Sequence, residues 1–131
     1  MATTARPYLS LAQSVCRIAA VGIELTTVRV VGIVANMTAV LLYRQRLDFD
    51  DGAILEIVVW RLPAPVAGCT HPFKYRLFYG YPGQRLVGYD NERPKGDHRH
   101  QDGAEERYAF ESPERLIDDF LRDVENRRAK R

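Results

Sequence analysis

From residue 40 onward the chain alternates apolar and polar side chains with a period of two, the spacing of a half-buried β-strand. Residues 40–49 set Leu41, Tyr43, Gln45 and Leu47 against Leu42, Arg44, Arg46 and Asp48. Residues 53–62 set Ile54, Glu56, Val58 and Trp60 against Leu55, Ile57, Val59 and Arg61. Between them Asp50-Asp51-Gly52 supplies the Asp-Gly step of tight hairpins, where glycine takes the positive φ the turn needs. Pro63, Pro65 and Gly68 punctuate a loop. Residues 73–79 then read as a third strand, with Lys74, Arg76 and Phe78 on one side and Tyr75, Leu77 and Tyr79 on the other. Gly80-Tyr81-Pro82-Gly83 closes another hairpin, residues 84–89 form a fourth strand and residues 107–110 a short fifth. Here the period changes: Leu116, Phe120, Leu121 and Val124 recur at helical spacing behind Ser112 as N-cap, Pro113 at the first helical position and an acidic first turn. The basic end, Arg127, Arg128, Lys130 and Arg131, suits the negative pole of that helix. The pattern predicts an α+β fold, an antiparallel meander of four to five strands closed by one C-terminal amphipathic helix.

The first 36 residues do not share this pattern. Their apolar stretches, such as 28–34, are interrupted by Arg17, Glu24 and Arg29, short of the ~20 apolar residues that span a bilayer. Arg6 and Arg17 precede no unbroken apolar region and no cleavage site, so a secretory signal is not indicated. Met37 stands just before the first patterned strand and reads as the natural start, making residues 1–36 an extension and 37–131 the domain. The other reading is an N-terminal strand or helix that packs on the sheet.

A chain of 131 residues, 46% hydrophobic and 27% charged, suits one soluble domain with a real core. Its net charge of +2 is too small to imply nucleic-acid binding by itself. The arrangement says more. Residues 74–100 hold six Lys/Arg against three Asp/Glu, whereas residues 102–125 hold nine Asp/Glu against three Lys/Arg. The acidic segment is either a solvated helix face or one that meets the basic cluster or a basic partner. Cys16 and Cys69 show no disulfide framework and no CxxC spacing, which points to a reducing, cytoplasmic setting. Neither has the surroundings of a nucleophile.

The chemistry concentrates between Tyr89 and His100, where two of the three histidines sit among Lys95, Arg93, Arg99, Asp90 and Asn91. Imidazole exchanges protons near neutral pH while Lys and Arg stay charged, a combination suited to acid/base work on a phosphate ester. If residues 97–100 are extended, His98 and His100 share one face and Arg99 takes the other.

Four segments resemble the TumE family, the toxin half of bacterial toxin–antitoxin pairs. They are Asp50-Asp51-Gly52-Ala53-Ile54-Leu55-Glu56, Phe73-Lys74-Tyr75-Arg76-Leu77-Phe78-Tyr79, Leu86-Val87-Gly88-Tyr89-Asp90-Asn91 and Lys95-Gly96-Asp97-His98-Arg99-His100. The likeness runs from about Met37 into the C-terminal helix, with Pro94 where the family pattern has glycine. It implies a growth-inhibiting toxin held inactive by a helix-turn-helix antitoxin, and it assigns no chemistry to particular residues.

Metal-free RNA cleavage needs a base for the 2′-hydroxyl proton, an acid for the leaving 5′-oxygen and fixed positive charge at the phosphorane. The catalytic candidates are His98, His100, Lys95 and Arg99; the substrate contacts are Tyr89 for stacking, Asp90 to orient an imidazole, Asn91 for a base or sugar edge, and Arg93. Each also has an ordinary role open to it: Tyr89 as a sheet or core aromatic, Asp90 and Asn91 as turn formers, Lys95-Gly96 as a turn. The expectation is a cytoplasmic toxin acting on RNA with no cofactor and no membrane. The alternatives are a toxin that binds and blocks its target, or a metal-dependent phosphoesterase with His71 or an aspartate completing a zinc site with His98 and His100. No GxxxxGK[ST], GxGxxG or GxSxG motif is present.

Overall fold

The structure, a computed structural model, describes residues 38–130; the expected extension at residues 1–36 and the boundary at Met37 lie outside the described residues. Six strands follow in chain order: β1 (Val40–Asp48), β2 (Ile54–Arg61), β3 (Phe73–Tyr81), β4 (Gln84–Asp90), β5 (His98–Gln101) and β6 (Ala104–Arg107), then helix α1 (Pro113–Ala129). Each strand pairs antiparallel with its neighbour in sequence, so the sheet order is the chain order. The expected α+β meander with a C-terminal helix is the fold observed.

The alternation separates the two faces of the sheet. Leu55, Ile57 and Val59 of β2, Tyr75, Leu77 and Tyr79 of β3, and Val87 and Tyr89 of β4 are all buried on one face. Helix α1 lays Leu116, Ile117, Phe120, Leu121 and Val124 against it. Fully burying a side chain of this size contributes roughly 1.5–3 kcal/mol, so this single layer holds the fold together. Ser112 caps the helix, its Oγ accepting from the Arg115 amide at 3.1 Å.

Two acidic residues of the helix turn inward. Asp123 accepts from the Tyr89 hydroxyl, and Asp119 accepts from the Tyr108 hydroxyl at 2.8 Å and pairs with Arg115 and Arg122. The acidic segment is thus partly consumed within the molecule.

The C-terminal edge of the sheet departs from the expectation. Residues 108–110 are not a strand; the chain instead folds a hairpin of β5 and β6 about Asp102-Gly103, with φ of 48° and 87°. β6 is exposed along its length, so it carries no apolar alternation to betray it. Phe110 leaves the sheet and stacks on His71, ring centroids 3.7 Å apart.

Candidate active site

The face opposite the helix carries the histidines. Register places Asp90 beside His98 and Gly88 beside His100, while Tyr89 lies beside Arg99 on the helix side. Period-two alternation therefore sets His98 and His100 together, as expected, and turns Arg99 away. Both imidazoles are only 9% exposed and sit in a cleft of about 150 Å³ lined also by Arg85, Asp90, Glu92, Lys95 and Glu105.

His98 Nδ1 is 2.9 Å from the Gly96 carbonyl. A carbonyl only accepts, so Nδ1 is the donor and Nε2 faces the cleft, 3.8 Å from a Glu105 oxygen. His100 has a carboxylate oxygen facing each ring nitrogen, Asp90 Oδ2 at 3.4 Å from Nε2 and Glu105 Oε2 at 3.7 Å from Nδ1. A proton on either nitrogen thus has a place to point. Lys95 reaches Glu105 at 3.3 Å, and this contact holds the Glu105 carboxyl below the usual carboxylate range. Asp90 thus stands against the His100 ring.

The loop that presents β5 is clasped by backbone. Gly68 and Gly96 both take positive φ, and a Cβ on Gly68 would lie 2.2 Å from the Pro94 carbonyl oxygen, one on Gly96 2.6 Å from that of Gly68. Only glycine at both points lets the 63–72 loop and the 91–97 turn close this tightly. Asp97, next to His98, accepts from the Tyr75 hydroxyl at 2.6 Å and lies 2.9 Å from His71 Nε2.

Four of the expected site residues are elsewhere. Tyr89 is fully buried, packed edge-on against Tyr108 and Phe120, and cannot stack on a base. Asn91 is fully buried too: its Oδ1 accepts from the Tyr75 amide at 3.0 Å, and its Nδ2 donates to the Phe73 carbonyl at 2.7 Å and to Cys69 Sγ at 3.7 Å. It is a splice between the turn and β3 and offers no edge to a nucleotide. Arg99 pairs with Glu106 and, at 3.7 Å, with Asp123. Arg93 is exposed on a shallow surface formed with Leu62, Val66, Lys74 and Glu92, away from the imidazoles.

The expected zinc partner is also displaced. Among the described residues the one group with metal-ligand spacing is Cys69, His71 and Asp97, which includes neither His98 nor His100. Its tautomer suits a hydrogen-bond network better than zinc. The Phe73 amide donates to His71 Nδ1 at 3.3 Å, so the ring proton is on Nε2, directed at Asp97. Ligation through Nε2 would move that proton to Nδ1, against another donor. Burial, with Asp97 nearby, raises the Cys69 thiol above its usual pKa and keeps it protonated.

A sequence model of the family described as Toxin TumE matches residues 22–128. The chain belongs to the TumE family. The match starts at Gly22, so TumE likeness begins upstream of Met37, where it was expected to start. No curated protein and no solved structure matches the chain.

In this TumE chain Glu92, Glu105 and Arg85 line the cleft without having been expected there, and alternation misplaces Arg85. Its odd number gives it the parity of Val87 and Tyr89, which face the helix. A bulge intervenes: Tyr79 pairs with Val87 but Gly80 pairs with Arg85, leaving Leu86 as the extra residue. The bulge turns Arg85 onto the histidine face, where it reaches Asp90 at 3.5 Å. The only hint in the sequence is the pair of glycines, Gly80 and Gly88, inside otherwise bulky strands. Glu105 is missed for the same reason as β6.

Proposed function

We propose that this TumE-family toxin inhibits growth by cleaving RNA without a metal ion, with His98 as base and His100 as acid. The observation that carries the reading is the pair of imidazoles in one cleft that two cations, Arg85 and Lys95, also line. His98 Nε2 takes the proton of a ribose 2′-hydroxyl as the 2′-oxygen attacks phosphorus. His100 gives its proton to the 5′-oxygen as the P–O5′ bond breaks, leaving a 2′,3′-cyclic phosphate and a 5′-hydroxyl. Arg85 and Lys95 meet the charge on the phosphorane, Lys95 exchanging Glu105 for a phosphate oxygen.

Family membership supports an antitoxin as partner, and we propose a helix-turn-helix protein that binds the toxin in the cytoplasm. Among the described residues no helix is long and apolar enough to cross a membrane. His98→Asn keeps a donor for the Gly96 carbonyl and removes the base; His100→Ala removes the acid. Each is expected to lower cleavage by at least about a hundredfold and to relieve growth arrest, with folding and antitoxin co-purification kept. Cleavage by the unaltered toxin is expected to survive EDTA. Undiminished toxicity in the double variant, or toxicity with no RNA carrying cyclic phosphate ends, defeats the ribonuclease reading in favour of a blocking toxin.

A further inference from the structure

The face of the sheet opposite the helix continues well beyond the cleft. One cross-strand row reads Arg44, Val58, Arg76, Asp90, His98 and Arg107, and the next reads Arg46, Glu56, Phe78, Gly88, His100 and Glu105. The carboxylates of these rows stand beside cations: Glu56 pairs with Arg46, Asp90 with Arg85 and Glu105 with Lys95. Among the described residues no carboxylate pairs with Arg44, Arg76 or Arg107. Three guanidinium groups with no carboxylate partner among the described residues thus share the row that contains His98.

Two large aromatic residues stand on the same face. Trp60, beside Lys74, and Phe78 are partly exposed, lie outside the core cluster and stack on no other ring among the described residues. Strands lie about 4.8 Å apart and same-face neighbours about 6.8 Å apart along a strand, so Phe78 is roughly 10 Å from His100 and Trp60 roughly 16 Å from His98.

We infer that this face is a track for single-stranded RNA, with unpaired bases stacking on Trp60 and Phe78 and phosphates meeting Arg44 and Arg76 on the way to the cleft. The inference rests on the ribonuclease reading of the cleft and extends it to the substrate. Unpaired cations call for a polyanion, and exposed ring faces select one with unstacked bases, which a duplex does not offer. Between Phe78 and His100, two strands apart, the lane at Gly88 is filled by the Arg85 side chain, which a phosphate passing from the ring to the cleft would meet.

The test uses the full chain with His98→Asn and His100→Ala, so that RNA stays intact, and a fluorescein-labelled single-stranded oligoribonucleotide. Trp60 is the sole tryptophan, so its emission reports stacking directly and is expected to be quenched as RNA is added. Trp60→Ala and Phe78→Ala should each weaken binding roughly five- to hundredfold. Arg44→Gln with Arg76→Gln should lower the slope of log affinity against log salt by about 1.4, or about 0.7 for each phosphate left without its cation. All four positions lie on that face, and an unchanged thermal transition confirms the fold of each variant. Unquenched Trp60 emission, an unchanged salt slope, or loss of antitoxin binding with RNA affinity intact overturns the track. Binding with these features but no cleavage by the unaltered toxin defeats the ribonuclease reading alone; cleavage indifferent to all four positions defeats the track alone.

Discussion

The Arg85 side chain occupies the space that a Cβ on Gly88 would need: such an atom would lie 2.5 Å from Arg85 Cδ. Gly88 is the register partner of His100, so the missing side chain of one residue is what lets the other's guanidinium enter the cleft and reach Asp90.

Gly88→Ala should therefore act as a positional variant of Arg85. The obstructing atom belongs to a flexible side chain, and backbone strain is not at issue, so stability should change by less than about 1 kcal/mol. Cleavage should fall about tenfold or more, and Arg85→Ala should fall as far without the two effects adding, because both remove the same cation. Additive losses measured in the double variant would separate Gly88 from Arg85.

Asn91→Ala should do the opposite. It leaves the Tyr75 amide and the Phe73 carbonyl without partners in a fully buried place. Losing two such bonds should cost about 2–5 kcal/mol in urea denaturation, while the fraction still folded keeps its activity. Lost activity at full stability would make Asn91 a substrate-binding residue after all.

Alkaline pH should unfold the protein steeply. Burial, then the hydrogen bond to Asp97, raises the Tyr75 pKa, and burial, then the bond to Asp123, raises that of Tyr89. Below the ordinary tyrosine value of 10.0 both phenols are protonated folded or unfolded, and their contribution is present in full. As pH climbs from there toward the folded values only the unfolded chain loses protons, so stability falls. With Tyr108, raised likewise by burial and then by its bond to Asp119, three such groups lower it by about 4 kcal/mol per pH unit. Denaturant titrations from pH 9 to pH 11 measure the slope, and Tyr89→Phe should flatten it by about a third. A flat profile would show that these phenols titrate in the folded state.

The first four strands and the helix were legible because each buries one side, and burial writes itself into the sequence as alternation or helical spacing. The β5–β6 hairpin was not, since β6 is exposed throughout; its Asp102-Gly103 step repeats the signal at Asp51-Gly52 without apolar flanks to frame it. In the site, the shared face of His98 and His100 followed from parity alone. Tyr89 and Asn91 looked like nucleotide contacts because side-chain chemistry says nothing about exposure, and the helix that covers Tyr89 lies more than twenty residues downstream. Arg85 was hidden by the bulge at Leu86, which reverses parity for every residue before it in the strand.

Because strand order follows chain order, each pairing joins neighbours in sequence, and β5, which bears both imidazoles, takes its register from β4 and β6. The two ends of the sheet are correspondingly separable. β1 and β2 form one end, while His98, His100 and the backbone clasp at Gly68 and Gly96 belong to the other. Mutation can reshape the first hairpin without rebuilding the second, so a lineage of this fold is free to vary one end of its sheet while keeping the other.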